Sequence, residues 1–146
     1  MHFTEMIPML AADCGVSALK PDAHGAVAVA FGALVVNLRP QSDPECVSLD
    51  ARLGSIDGRP PETWVAMMAD NRWPHESLAG ALAVDAAGTV FLVPHVSGRC
   101  LSFARFRSLL NRFAAQGARW RERLAADDPT SPAASGPDPV LLQALA

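Results

Sequence analysis

The chain has 146 residues, half of them hydrophobic, and a formal net charge of −3 at neutral pH. That is one domain's length, enough to bury about two-thirds of its unfolded surface without disulfide or metal staples. Cys14, Cys46 and Cys100 are too few and too scattered for a disulfide framework or a zinc knuckle, no apolar run reaches the ~18 residues of a membrane span, and Met1–Glu5 lacks the basic start of a secretory signal, so the sequence reads as cytoplasmic.

Phe3, Met6, Ile7, Leu10, Cys14 and Leu19 recur at spacings of three to five, which predicts an amphipathic helix within 3–19. Pro8 suits a first turn better than an interior and so places the ordered start there, and Gly15 suits the end. Pro21–Gly25 is a turn cluster. Val27, Val29 and Phe31 then alternate with Ala26, Ala28 and Ala30, Gly32-Ala33 reverses the chain, and Leu34, Val36 and Leu38 alternate with Val35, Asn37 and Arg39. This is the pattern of two antiparallel strands. After a loop at Pro40–Pro44, Val47, Leu49 and Ala51 alternate with Ser48, Asp50 and Arg52, a third strand with one wet face.

Pro60 and Pro61 open a helix in which Trp64, Val65, Met67 and Met68 leave much of the surface apolar, and Asn71–Pro74 stops it. A hairpin over 79–95 turns at Asp85–Gly88. A helix over 101–125 carries Phe106, Leu109, Leu110, Phe113, Gly117, Trp120 and Leu124 as one stripe, with Arg105, Arg112, Arg119 and Arg123 mostly off it. Residues 1–126 form the domain. Residues 127–146, a proline-rich stretch followed by the short apolar Val140–Leu145, read as a disordered tail. Strands in antiparallel runs separated by helices give an α+β class, in the order α-β-β-β-α-β-β-α.

Charge is uneven along the chain. Residues 1–98 carry −6, residues 99–126 carry +6 and the tail carries −3. An arginine-rich helix on an acidic body suggests a nucleic-acid or regulatory adaptor as the alternative function, but the overall acidity argues against phosphate binding, and such a face more often pairs with the protein's own acids.

The residues offer no constellation for catalysis, metal or cofactor. Glycine-rich phosphate loops are missing, and His2, His24, His75 and His95 stand apart, with no His-x-x-x-His pair. His95 with Cys100 reads as a loop histidine near a buried thiol rather than as a nucleophilic pair. Asp50 and Asp85 read as a strand residue and a turn residue rather than as paired acids. What remains is apolar surface in excess of one small core, centred on Phe31, Leu34–Val36 and residues 64–68, which points to a protein interface.

Leu49-Asp50-Ala51-Arg52-Leu53-Gly54-Ser55-Ile56, Met67-Met68-Ala69-Asp70-Asn71, Gly80-Ala81-Leu82-Ala83-Val84-Asp85 and Trp120-Arg121-Glu122-Arg123-Leu124 follow one another in the order found in a known family. Through them residues 3–125 resemble the class I type III secretion chaperones, the Tir-chaperone family. The resemblance implies a strongly twisted antiparallel sheet with flanking helices, a homodimer, and binding of the N-terminal segment of a secreted effector in the bacterial cytosol, with the secretion ATPase as a candidate second partner and no membrane or cofactor. It assigns effector binding to Ile7, Leu10, Val29, Phe31, Leu34, Val36 and Leu38. It assigns the dimer interface to Trp64, Met67, Met68, Trp73, Leu82 and Val84. Pro8, the arginine-rich last helix and the tail depart from the family pattern.

Overall fold

The computed structural model describes residues 2–43, 46–72, 80–94 and 102–130. Its elements are α1 (Phe3–Asp13), β1 (Val27–Phe31), β2 (Leu34–Pro40), β3 (Val47–Ser55), α2 (Pro61–Arg72), β4 (Gly80–Val84), β5 (Thr89–Pro94) and α3 (Phe103–Ala126). The α+β class and the element order are those read from the sequence.

One antiparallel sheet runs β1-β2-β3-β5-β4, so β1 and β4 are its two edges. Two hairpins build it. Gly32, at φ +60°, turns β1 into β2 with Phe31 opposite Leu34. In the second, Asp85 Oδ1 accepts from the N–H groups of Ala87 and Thr89, both at 2.9 Å, while Gly88 takes φ +76°. Asp85 is thereby spent on its turn, as an aspartate at a hairpin corner commonly is.

The alternation along each strand sorts the side chains. Val27, Val29, Leu34, Val36, Leu38, Val47, Leu49, Ala51, Leu53, Val90 and Leu92 face the core, where α3 lays down Phe106, Leu110, Phe113, Trp120 and Leu124. Gly117 marks the closest approach, because a Cβ there would stand 2.8 Å from Leu34 Cδ2. The other sheet face keeps Ala28, Ala30, Val35, Arg39, Arg52 and Ala83 exposed.

Three expectations change in detail. Helix α1 begins at Phe3 with Pro8 inside it and ends at Asp13. The His2 N–H donates to Glu5 Oε2 at 2.9 Å and so secures the start, while Pro8 forgoes only the bond to the Thr4 carbonyl, on a stretch exposed to solvent. Gly15, at φ +69°, then stops the helix short of residue 19. Strand β3 extends to Ser55 through an irregularity between Arg52 and Gly54. The fold also continues past residue 126. Asp127 Oδ2 accepts from Thr63 Oγ1 at 2.7 Å, and Asp128 pairs with Arg59 at 3.0 Å, so these acids act as fasteners rather than as the start of a loose tail. The expectations for 131–146 lie outside the described residues.

Candidate protein-binding surfaces

Helix α2 is fixed at both ends, and its outer face is bare. At its start Arg59 donates from Nε to the Leu124 carbonyl at 2.8 Å, from Nη1 to the Asp57 carbonyl at 3.0 Å, and from Nη2 to Asp128. A guanidinium on the last carbonyls of α3 is well matched to the negative end of that helix. Further along, Asp70 Oδ2 accepts from Trp120 Nε1 at 2.7 Å and from Arg119 Nη2 at 2.8 Å. Thr63 and Met67 point inward. Trp64, Val65 and Met68 point outward and are 43%, 66% and 71% exposed. Spaced i, i+1 and i+4, they form one apolar stripe held on a rigid support.

Beside α2, the outer edge of β4 is closed by two carboxamides. Asn71 donates from Nδ2 to the Leu82 carbonyl and accepts the Leu82 N–H on Oδ1, both at 2.8 Å. From α3, Gln116 does the same to Gly80, accepting its N–H at 3.0 Å and donating to its carbonyl at 2.9 Å. Each amide imitates one residue of a neighbouring strand. Glycine is required at position 80, because a Cβ there would stand 2.5 Å from the Val93 carbonyl oxygen and 3.1 Å from Phe113. A second strand therefore cannot pair at Gly80 or Leu82 without breaking bonds already made.

The opposite edge differs. Val29 pairs with Val36 and Phe31 with Leu34 across a two-residue turn, so the N–H and C=O groups of Ala28 and Ala30 point away from β2. Among the described residues nothing bonds to these outward groups, and both side chains are exposed. The connection from α1 into β1, with α1 itself, walls a cavity of about 220 Å³ lined by Ile7, Pro8, Ala11, Ala12, Val16 and Leu19. Val16 on its rim and Met9 on α1 are 44% and 42% exposed. Asp22 ties this connection to the strand, its Oδ1 accepting from the N–H of His24 at 2.8 Å and of Ala26 at 2.9 Å. The backbone bonds from Ala26 and then His24 hold its carboxyl below the usual aspartate value.

The positions assigned from the sequence fall on both sides of the surface. Of the effector-binding set, Leu10, Val29, Leu34, Val36 and Leu38 are at most 3% exposed and belong to this chain's own core, whereas their strand neighbours Ala28, Ala30 and Val35 are exposed. Ile7 and Phe31 are half-buried, and Ile7 lines the cavity. Of the dimer set, Trp64 and Met68 lie on the bare stripe, Met67 and Leu82 are buried beneath it, and Val84 is half-buried. Trp73, like His75, His95 and Cys100, lies outside the described residues. Sequence reasoning missed Asn71 and Gln116 as edge clamps. The signal for Gln116 is a carboxamide beside Gly117 on the apolar stripe, a place where a buried polar group must find a partner.

The arginines of α3 are largely engaged at home. Arg107 pairs with Asp13 at 2.8 Å, Arg119 with Asp70 at 2.8 Å and Arg123 with Asp127 at 3.5 Å. Asp50 is held by Arg39 at 3.3 Å and by Asn37 Nδ2 at 2.9 Å, away from the Asp85 turn. Among the described residues there is no cluster of three potential metal ligands, and no helix is long and apolar enough to cross a membrane.

Comparison with known proteins fits this arrangement. The model of the Tir chaperone protein (CesT) family matches residues 5–121, from α1 into α3. Among solved structures, the ExsC–ExsE complex aligns with a TM-score of 0.69 at 20% identity, covering 90% of this chain and 100% of that one. The Yersinia pestis type III secretion chaperone SycH, in complex with a stable fragment of YscM2, gives 0.61 at 17% identity, over 80% of this chain and 97% of that one. The HopA1–SchA chaperone–effector complex gives 0.65 at 16% identity, over 82% and 93%. No curated protein sequence matches the chain.

Proposed function

The chain belongs to the Tir chaperone family, and from that premise we propose that it is a cytosolic type III secretion chaperone, a homodimer that holds the N-terminal segment of a secreted effector in an extended, export-ready form. The observation that carries this reading is the family match across residues 5–121 on a sheet with one open edge. The solved relatives named above include chaperones in complex with an effector or a protein fragment, which supports a protein segment as the ligand here.

The physics follows from the two edges. An extended segment adds its backbone to Ala28 and Ala30 and sets apolar side chains against Val35, Phe31 and the α1 cavity. Ordering the segment costs entropy, so affinity requires a long contact rather than one pocket. Dimerisation uses the α2 stripe through side chains, because the adjoining edge of β4 has no free backbone groups at Gly80 and Leu82. A protein-binding role also suits the home pairing of Arg107, Arg119 and Arg123, which leaves the nucleic-acid alternative little free charge on that helix.

The test is co-expression with the N-terminal segment of a secreted protein encoded beside this gene, followed by light scattering. The expected product is two copies of this chain with one segment, stable in high salt. A dimer that captures no neighbouring candidate would overturn the function while leaving the fold untouched.

A further inference from the structure

One surface is not absorbed by that reading. A cleft of about 290 Å³ opens where β3 loses register against β5, and it is lined by Val35, Asn37, Arg52, Leu53, Gly54 and Arg121. Its floor is apolar and two guanidiniums stand at it. Among the described residues neither Arg52 nor Arg121 has an ion pair or a side-chain hydrogen bond, although Arg121 is half-buried. Arg107, Arg119 and Arg123 of α3, by contrast, pair with aspartates.

The acid nearest in register does not quench them. Asp50, paired with Asn37 across the β2–β3 ladder, already accepts from Arg39 and Asn37. A half-buried cation without a partner is costly relative to a paired one, and guanidiniums favour the fork geometry of a carboxylate. The cleft has room for one acidic side chain and an apolar neighbour resting on Val35.

We propose that this cleft is a specificity subsite for the client, taking an aspartate or glutamate side chain flanked by an apolar residue, with Arg52 and Arg121 sharing the carboxylate. The proposal rests on the chaperone reading and adds a sequence preference to it. Charge complementarity with an apolar floor favours an acidic protein segment over a nucleic acid, whose phosphates would meet a chain of net charge −3.

The test is selection of a random peptide display library against the wild-type protein and against R52Q/R121Q, whose substitutions lie outside the core. The expected result is an acidic position beside an apolar one in the wild-type selection only. In a selected peptide, Asp→Asn should then weaken binding to the wild type roughly fivefold and leave binding to the variant unchanged. The same consensus from both proteins, or a wild-type consensus without an acidic position, would overturn the subsite and leave the chaperone reading intact. Failure to select any peptide would overturn both. Binding of oligothymidylate to the wild type but not the variant would reassign the cleft to nucleic acid. A lower mass for the variant by light scattering would reassign it to contact between copies.

Discussion

The two edges of the sheet are built from the same kind of strand, yet they end in opposite states. Strand β4 has its outward groups at Gly80 and Leu82 taken by Gln116 and Asn71, whereas β1 leaves Ala28 and Ala30 bare. Open edges invite unwanted pairing, and proteins normally blunt them. Here one edge is blunted with side-chain amides, which impose no charge, so the proposed strand addition would fall to the other. The closed edge then lies beside the apolar stripe of α2, where the proposed dimer contact would form through side chains alone.

The comparison breaks most visibly at α2. Placing two carboxylates on the stripe, as Val65→Glu with Met68→Glu, should split the proposed dimer, because burying unpaired charge in an apolar contact costs several kcal/mol. Both residues are exposed in the single chain, so the monomer should keep its far-ultraviolet circular dichroism while its mass by light scattering halves. A variant that remains dimeric would move the interface elsewhere.

Next come the clamps, which should be unequal. Gln116 is 5% exposed and serves a buried Gly80. Gln116→Ala therefore leaves a donor and an acceptor unsatisfied and should cost about 2–4 kcal/mol in urea unfolding. Asn71 is exposed, so water can replace it, and Asn71→Ala should cost about 1 kcal/mol or less. Equal losses would mean that the clamps act by something other than desolvation. On the open edge, Ala30→Pro removes one outward N–H at a position where an edge strand tolerates proline. Client-segment affinity by calorimetry should drop about tenfold, with little change in unfolding free energy.

Strand alternation and the α3 stripe were legible because each reports a single physical fact, the side facing the core, and the described elements follow them closely. Which of those side chains a partner touches was not legible in the same way. Val36 and Leu38 are conspicuous in the sequence because they are core residues, and the exposed edge positions Ala28 and Ala30 are inconspicuous because they are small. The stripe on α2 was visible, since Trp64, Val65 and Met68 exceed what one helix face can bury. The clamps and the Arg59 cap were hidden, because their partners are backbone groups brought close by folding over separations of 11, 36 and 65 residues. Asp127 and Asp128 misled for the same reason. Beside prolines they read as solvated, yet Thr63 and Arg59, far away in sequence, hold them.

The smallest expected effect is a difference in how the two edges respond to acid. The closed edge is held by carboxamides, which do not titrate. The approach to the open edge is held by Asp22, which anchors the turn entering β1 and whose carboxyl is depressed by the N–H groups of Ala26 and His24. A depressed value means that folding favours the ionised form. The Asp22 contribution is therefore complete above the ordinary value of 3.8 and disappears as pH falls through the lower, folded one. In an acid titration followed by amide chemical shifts, Ala26 and His24 should move together with a midpoint below that ordinary value, while Gly80 and Leu82 hold still. Asp22→Asn should remove the transition without opening β4. If Gly80 moved along with Ala26, the two edges would be coupled through the sheet, and the independence argued for them here would fail.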